Sequence, residues 1–407
     1  MIEVRNKLSQ YAIIGAASLL MMPLFTSCDD DDDDSGADPV ISYIRPIDAA
    51  KSDSLLTAAS LGEVIAIMGD NLKNIKAISF NDKPATLNPC YIENNAVVLT
   101  VPAEIPSRIT DSIYITTKNG KVIQYPFVSS IPEPVVNSIS CEQVKEGDIV
   151  YVEGNFFVPT ETQPVSLTFK GNVKGEYLPE QSSYSRAAFK VPAGVEPGTV
   201  AVSTAYGTTV PPSGTIYIND NRDEYMLIDF DKFTIGGWGK TTFVSSDFGQ
   251  CAYLHSDEVD LWSWDENTTL LFSNNGEGLP HFQSPVKDPD AGFLKFEIKV
   301  DKPWTAVALY MEFQTPSQVT NNSFGTNPGY CWEPWKGGEY QTNGWVTVSI
   351  PLSSFNQATD GKAASGGTFD PTLIDGINLF VRGGTGAEGN KTAVSMYVDN
   401  FRIVPAE

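Results

Sequence analysis

A duplicated segment of β-type sequence is the feature that most constrains the fold of this 407-residue chain. Residues 38–132 and 133–219 align with each other along most of their length. The matching stretches are 39–42 with 134–137, 62–72 with 147–157, and 98–102 with 188–192. A repeat of about 90 residues is long for a solenoid unit but typical of a whole β-sandwich domain. Short alternating strands between Gly, Asn and Pro turns therefore predict two immunoglobulin-like sandwiches.

The shared pattern of the two copies also resembles a known family. Each copy begins with a Pro-Val strand, continues through a Gly-x-x-x-x-Ile/Val-x-Gly-Asn-type strand at 62–72 or 147–157, and then reaches a Val-Pro pair. This pattern resembles the IPT/TIG family of immunoglobulin-like domains, at 38–132 and 133–219. Neither copy contains a cluster of polar residues suited to chemistry, so we interpret both as spacers. Proline at Pro132, Pro134, Pro211 and Pro212 is expected to stiffen the links, because it fixes φ.

The N-terminus predicts export. Arg5 and Lys7 precede an apolar stretch at 11–25, which is too short for a confident membrane-spanning helix and is typical of a signal peptide. Thr26 and Ser27 then precede Cys28, which resembles a bacterial lipobox with Phe25 in place of the usual Leu. We predict a lipoprotein signal peptide at 1–27 and lipidation of Cys28; the alternative is an ordinary signal peptide with an incidental cysteine.

An acidic run follows the cysteine. Six consecutive aspartates occupy 29–34, and like charges at this density repel and stay extended. We assign 28–37 to an acidic tether. An acidic run in this position also resembles the surface-export signal of Bacteroidetes lipoproteins, which implies a lipid-anchored protein on the extracellular face of the cell outer membrane.

Charge and composition exclude several classes of function. The formal net charge is −23, which argues against nucleic acid as a partner. His255 and His281 are the only histidines, so a His-rich zinc site is excluded, and we predict no metal and no cofactor. Cys251 and Cys331 share a domain, and spacing alone leaves open whether they pair.

Residues 220–407 differ from the repeats and are predicted to form a larger C-terminal β-sandwich. All seven tryptophans lie in this segment. Its strands alternate apolar residues with a second set that mixes aromatic, amide and charged side chains. From that second set we select as candidate glycan-binding residues Trp304, Tyr310, Glu312, Asn378 and Arg382. A pyranose stacks its apolar C–H face on an aromatic ring, and its hydroxyls need donors and acceptors.

The densest aromatic cluster lies at 329–338. Pro334 and the pair Gly337-Gly338 predict a loop there, so we expect Tyr330, Trp332 and Trp335 to be exposed and to bind glycan. The alternative is a loop that folds back over the core. Trp345 opens a β-branched strand and is interpreted as a core residue. Trp262 and Trp264 share strand parity with Asp260, and whether they line the same cleft stays open.

The domain order and these motifs together resemble a second family. The segments 227–230, 329–335, 344–352 and 397–403 look like the glycan-binding domain of surface glycan-binding proteins of Bacteroidetes. The resemblance is to the B-type group, which binds xyloglucan. The resemblance implies an all-β protein in which two IPT/TIG domains precede a jelly-roll sandwich of the kind found in carbohydrate-binding modules. It implies a non-catalytic protein that binds a polysaccharide, either a β-glucan or a hemicellulose such as xyloglucan. It also implies two protein partners, a TonB-dependent transporter and a starch-utilisation-type lipoprotein.

Three alternatives stay open. The segment Glu258 to Trp264 resembles the acidic strand of a jelly-roll glycoside hydrolase, but Trp264 stands where the second acid is needed. An adhesive or structural role for the immunoglobulin-like repeats is the other function that we consider. Asp229 and Asp399 in the first and last strands of the C-terminal domain are interpreted as surface caps, with a structural calcium site as the alternative.

Overall fold

The structure is a computed structural model of the full chain. It describes residues 37–51, 53–232, 242–260, 265–271, 281–321, 327–383 and 390–407. The predicted all-β class is confirmed, because these residues form strands almost throughout and contain one short α-helix. The described residues divide into two compact units, with the boundary between residues 129 and 130.

The first unit contains the first repeat. Its two main sheets have the strand orders β1-β3-β6 and β5-β4-β7-β8, and β2 pairs with β9. The strands are β1 (Val40–Pro46), β2 (Ala58–Ser60), β3 (Val64–Asp70), β4 (Ile75–Phe80), β5 (Lys83–Pro84), β6 (Ala96–Thr100), β7 (Ser112–Thr117), β8 (Val122–Pro126) and β9 (Val128–Ser130). One hydrophobic cluster, from Ile44 to Phe127, fills the space between the main sheets.

The second repeat has a similar arrangement of strands, with β14 added at the edge of one sheet. Its sheets run β10-β11-β15-β14 and β13-β12-β16-β17, so β10 and β11 correspond to the first two strands of the matching sheet in the first repeat. The strands are β10 (Val135–Ile139), β11 (Ile149–Asn155), β12 (Ser166–Phe169), β13 (Val173–Lys174), β14 (Glu176–Tyr177), β15 (Arg186–Lys190), β16 (Ala201–Thr204) and β17 (Gly207–Thr209).

A glycine at the same aligned position of both repeats has a physical explanation. A Cβ atom on Gly69 would lie 1.9 Å from the Val40 carbonyl oxygen, and a Cβ atom on Gly154 would lie 1.9 Å from the Val135 carbonyl oxygen. Both contacts fall beside a bulge in the first strand pair of the repeat. Only glycine permits this close backbone approach, which explains why both copies of the sequence contain it.

The C-terminal sandwich consists of a six-stranded sheet and a four-stranded sheet. The first has the order β19-β20-β27-β22-β25, with β18 paired to β27, and the second has the order β21-β26-β23-β24. The strands are β18 (Met226–Ile228), β19 (Thr242–Ser246), β20 (Gly249–Val259), β21 (Thr269–Leu270), β22 (Gly292–Val300), β23 (Leu309–Gln314), β24 (Gly329–Trp332), β25 (Val346–Pro351), β26 (Gly376–Val381) and β27 (Thr392–Pro405).

Helical segments are short and lie in the connections. The α-helix α1 covers Pro316–Thr320. The 3₁₀ turns are Ala49–Lys51, Leu72–Asn74, Pro89–Tyr91, Lys170–Asn172, Pro179–Gln181, Glu266–Thr268, Pro289–Ala291, Pro334–Gly337, Leu352–Ser354 and Pro371–Leu373. Within the described ranges, no helix combines the length and the apolar character needed to cross a membrane.

The core of the C-terminal sandwich follows the predicted alternation. In β22 the residues Leu294, Phe296, Ile298 and Val300 point inward, and in β23 and β26 the alternate apolar positions do the same. The remaining positions of these strands therefore form the outer faces of the two sheets.

The second repeat packs directly on the outer face of the six-stranded sheet. Glu142 of the repeat joins Lys295 of β22 through a 2.6 Å ion pair and Arg402 of β27 through a 2.7 Å ion pair. Glu297 accepts two further bonds from the Arg402 guanidinium, at 2.8 and 2.9 Å. All four side chains are buried, so this charged cluster fixes the second repeat against the sandwich.

Candidate functional site

Side chains of mixed character cover the outer face of the four-stranded sheet, which we call the β23–β26 face. It is formed by Tyr310, Glu312 and Gln314 of β23 and by Asn378 and Phe380 of β26. Register places Tyr310 opposite Phe380 and Glu312 opposite Asn378. The sequence alternation therefore placed Tyr310, Glu312 and Asn378 correctly on one face.

The β23–β26 face is covered. Tyr310 and Glu312 are only 2% and 4% exposed, and Asn378 has no exposed surface. The Tyr310 hydroxyl donates to the main-chain oxygens of Asn327 and Gln357, at 3.4 and 3.3 Å. The segments around 327 and 357 therefore lie over this face, and a ligand reaches its inner residues only if these segments shift.

Glu312 is the carboxyl group of this face. Its Oε1 accepts a 2.9 Å hydrogen bond from the Asn327 main-chain N–H. Burial raises the pKa of Glu312 to about 7, although this hydrogen bond acts in the opposite direction. Near neutral pH the group is therefore divided between a carboxylate, which only accepts hydrogen bonds, and a carboxylic acid, which also donates one.

Arg382 lies at the rim of the β23–β26 face and is half-buried. It follows the last residue of β26, and Gly383 comes next with a φ of 79°. A Cβ atom on Gly383 would lie 1.7 Å from the Thr359 carbonyl oxygen, so the backbone after Arg382 is held closely against the 357–359 segment. This contact fixes the backbone position of Arg382, which is the one predicted site residue with a guanidinium group.

The predicted exposure of Trp304 is wrong. This side chain has no exposed surface, and its indole Nε1 donates to the Ala306 carbonyl oxygen at 2.5 Å. Its backbone pairs with Tyr340 outside the regular strands. The alternation that we read through Trp304 breaks before β23 begins at Leu309, and the ring turns into the core.

The predicted loop at 329–338 is also partly wrong, because Gly329–Trp332 forms β24. Gly329 is needed for packing and not for a turn. A Cβ atom there would lie 2.5 Å from the Tyr310 ring and 2.4 Å from the Met311 carbonyl oxygen. Gly329 therefore permits β24 to lie close against β23.

The three aromatic residues of this segment were expected to be exposed but are half-buried, because they pack against the core of the sandwich. Trp332 lies opposite Leu309, points to the core side and meets the rings of Phe296, Trp304 and Tyr340 edge-on. Tyr330 lies opposite Met311 with its ring 5.9 Å from Phe355, and the Trp335 indole donates to the Val307 carbonyl oxygen at 2.5 Å. The part of each ring that stays exposed is available to a ligand.

Several predictions fall on residues outside the described ranges. They concern the signal peptide and Cys28, the acidic run, and Trp238, Trp262 and Trp264.

One question left open by the sequence receives an answer. Cys251 and Cys331 do not form a disulfide with each other, and both are buried thiols. The described residues contain no group of three or more His, Cys, Asp or Glu side chains that could hold a metal ion. Asp399 is nevertheless distinctive, because burial, with Glu297, Asp229 and Asp231 nearby, raises its pKa to about 8.

Sequence reasoning missed the interdomain charged cluster and an aromatic row. In β22, Lys295 and Glu297 alternate with core residues. A strand whose polar face is exposed to solvent has the same sequence pattern, so the sequence did not reveal that these side chains are buried. Tyr253, His255 and Tyr397 form a stack on the outer face of the six-stranded sheet, with ring centroids 4.7 and 4.5 Å apart. The two strands that supply these rings are about 140 residues apart in sequence, so no local pattern reveals the stack.

Comparison with known proteins gives three findings. The family model described as the surface glycan-binding protein B xyloglucan binding domain matches residues 218–405. An IPT/TIG domain-containing protein of Bacteroides ovatus is 31% identical over 157 residues, which are 37% of this chain and 31% of the relative. The match thus spans about a third of the length of that curated relative.

The third finding is structural. The crystal structure of the surface glycan-binding protein PbSGBP-B from Prevotella bryantii matches with a TM-score of 0.74 and 28% identity, over 91% of this chain and all of that one. This structure extends the similarity beyond the C-terminal sandwich to the repeats. Residues 218–405 are therefore similar to the surface glycan-binding protein B xyloglucan-binding domain, and the resemblance of the chain to B-type surface glycan-binding proteins with IPT/TIG domains is confirmed.

Proposed function

We propose that this protein is a non-catalytic lipoprotein of the cell surface that binds a neutral β-glucan or hemicellulose, with xyloglucan as the first candidate. The observation that carries the proposal is the family match over 218–405, which covers the whole C-terminal sandwich. The acidic character of the chain favours a neutral polysaccharide over an anionic one, because like charges repel.

The binding site that we propose combines the rim of the β23–β26 face with the neighbouring aromatic residues. Arg382 supplies donors at the rim, whereas Glu312, Tyr310 and Asn378 supply donors and acceptors only when the covering segments around 327 and 357 shift. The exposed parts of Trp332, Trp335 and Tyr330 supply apolar ring surface. Each stacked sugar hides on the order of 100 Å² of apolar surface, which is worth roughly 2 kcal/mol at about 25 cal/mol per Å². Several such contacts give micromolar-to-millimolar affinity for a long chain.

A hydrolytic function is less well supported. Retaining hydrolysis needs two carboxyl groups about 5–5.5 Å apart. Glu258, the first acid of the hydrolase-like segment, is exposed, and its carboxylate pairs with the Lys391 ammonium at 2.5 Å. Release of reducing ends from xyloglucan by the purified protein would overturn the non-catalytic part of the proposal.

The test of binding is affinity electrophoresis of the chain in gels that contain xyloglucan, β-glucan or an unrelated anionic polysaccharide. We expect retardation by a neutral glucan and a loss of retardation in Arg382→Ala and in the double variant Trp332→Ala/Trp335→Ala. Tyr91→Ala, an exposed aromatic of the first repeat, is the matched control. Migration that no polysaccharide changes would contradict the proposed function, and full binding by both variants would contradict the proposed site.

We also propose that lipid on Cys28 anchors the chain to the outer membrane, and that bound polysaccharide passes to a TonB-dependent transporter with its starch-utilisation-type lipoprotein partner. The lipobox-like sequence before Cys28 and the aspartate run after it support the anchor. A Cys28→Ser variant is expected to lose fatty-acid labelling and to leave the membrane fraction. Unchanged membrane association of that variant would contradict the anchor, and failure to co-purify the transporter from solubilised cells would contradict the handover.

A further inference from the structure

A cleft of about 670 Å³ separates the second repeat from the C-terminal sandwich. One wall comes from residues 140–151 of the repeat, and the other from Asp247, Phe248 and residues 340–346 of the sandwich. Both walls belong to the same compact unit. This volume lies within the range of about 300–1,000 Å³ that small-molecule sites occupy.

The two walls are held in a fixed relation by buried contacts. The Thr347 main-chain N–H donates to the Ser140 carbonyl oxygen at 3.0 Å, and the Thr347 hydroxyl accepts from the Glu142 main-chain N–H at 2.7 Å. Glu142 then forms its ion pairs with Lys295 and Arg402. Because these bonds lie directly beside the cleft, its shape is set before any ligand arrives, which reduces the entropy that binding costs.

Aromatic side chains line the cleft and continue out of it. Trp345, predicted to be a core residue, is instead half-buried in the cleft wall, with its ring 6.3 Å from Phe248 and 6.4 Å from Tyr397. Tyr397 leads to the stack with Tyr253 and His255 on the outer face of the six-stranded sheet. Trp345 and Phe248 therefore supply ring surface inside the cleft, and the stacked rings of Tyr253, His255 and Tyr397 present their edges beside it.

The polar groups of the cleft favour a neutral ligand. Its two cationic side chains are already paired, Lys145 with Asp247 at 2.8 Å and Arg186 with Glu153 at 3.1 Å. Gln341 and Asn343 lie exposed on the sandwich wall, where amides both donate and accept hydrogen bonds. Aromatic rings beside amides and balanced charges are the combination that a pyranose chain requires.

We propose that this cleft is a second saccharide-binding subsite, separate from the β23–β26 face, which takes a segment of a neutral β-glucan chain. The inference rests on the proposed function, because it assigns the same class of polymer to a second place on the molecule. Two sites on one rigid unit raise the apparent affinity for a long polymer, since the second contact forms at a high effective concentration.

The test uses the chain without residues 1–36, a xyloglucan heptasaccharide and xyloglucan polymer. By calorimetry we expect two heptasaccharides per chain in the wild type and one in Trp345→Ala. Affinity for the polymer is expected to fall about 10-fold, which corresponds to about 1.4 kcal/mol. Asn343→Lys places an unpaired charge at an exposed cleft position without disturbing packing, and we expect the same loss. Tyr91→Ala is expected to behave as the wild type.

The outcomes separate the two proposals. If the wild type binds one heptasaccharide and both cleft variants keep its affinity for the polymer, the second subsite is overturned and the proposed function stands. If the wild type binds no neutral glucan at all, the proposed function and this inference fail together. Unfolding temperatures of Trp345→Ala and Asn343→Lys show whether a lost fold accounts for lost binding, and Asn343→Lys decides the result if Trp345→Ala does not fold.

Discussion

The two outer faces of the C-terminal sandwich have similar sequence patterns but different environments. Both alternate core residues with aromatic, amide and charged side chains. On the β23–β26 face, Glu312 and Tyr310 are buried beneath segments of the same domain. On the six-stranded sheet, Lys295, Glu297 and Arg402 are buried beneath the second repeat, while Tyr253 and Tyr397 stay half-exposed beside the cleft.

This difference teaches that alternation determines which side chains point outward but not what covers them. Charged side chains on an outer face that is covered need an ion-pair or hydrogen-bond partner nearby, or they become neutral, because burial removes their hydration. The six-stranded sheet does so with ion pairs between domains, whereas the β23–β26 face keeps a single carboxyl group whose pKa is raised. Substitutions on the two faces should therefore have different consequences.

The largest effect is expected at the charged cluster. Arg402→Met leaves Glu142 and Glu297 buried without their shared cation, which typically costs about 3–5 kcal/mol. Chemical denaturation of residues 130–407 measures this loss. Lys391→Met removes a cation from an exposed pair and is the control, expected to have no measurable effect. A loss below about 1 kcal/mol in Arg402→Met would mean that the cluster does not hold the domains together.

The next effect concerns Asp399, on the same sheet as the charged cluster. Its pKa in the folded protein is raised from 3.8 to about 8, so its protonated form contributes stability that is complete below about pH 4 and is lost as the pH rises towards 8. Asp399→Asn keeps the acceptor for the Asn400 main-chain N–H. We expect the variant to equal the wild type near pH 3 and to exceed it by about 3 kcal/mol at pH 6. A constant difference across this range would contradict the raised pKa.

A smaller effect is expected from packing on the β23–β26 face. Gly329→Ala introduces a methyl group against the Tyr310 ring and the Met311 carbonyl oxygen, and overpacking of this kind costs about 1–3 kcal/mol. Gly337→Ala is the matched control in the same segment, because open space surrounds its Cβ position. Equal unfolding free energies of the two variants would show that β24 does not lie as close to β23 as described.

The smallest change in stability is expected for Glu312→Gln. The folded pKa of Glu312 is raised from 4.5 to about 7, so the wild type loses stability between these values as the pH rises. The variant, which keeps the acceptor for Asn327, should gain about 2 kcal/mol over the wild type at pH 6 and almost nothing near pH 4. If Glu312 also binds glycan, the same variant will lose affinity while it gains stability. If Glu312→Gln has the same stability and the same glycan affinity as the wild type, Glu312 is not part of the binding site.

Much of the fold was predictable from local sequence. The duplication located two sandwiches of similar topology, and the alternation in β22, β23 and β26 identified the inward residues correctly. These successes depend on periodicity, which is a property of short segments.

The errors concern contacts between distant segments. Trp304 turns inward because its backbone pairs with Tyr340. Gly329 allows close strand packing where a loop was expected, and Trp345 lines a cleft whose other wall is formed by residues about 200 positions earlier. None of these contacts leaves a local signature, so the candidate site could be assigned to a domain but only in part to residues.

The central claim is that the C-terminal sandwich binds a neutral polysaccharide. Its most direct test is calorimetric titration of residues 130–407, which form a compact unit, with xyloglucan. We predict saturable binding in the micromolar-to-millimolar range, equal to that of the chain without residues 1–36. The absence of binding heat with xyloglucan and with every other neutral β-glucan would contradict the claim.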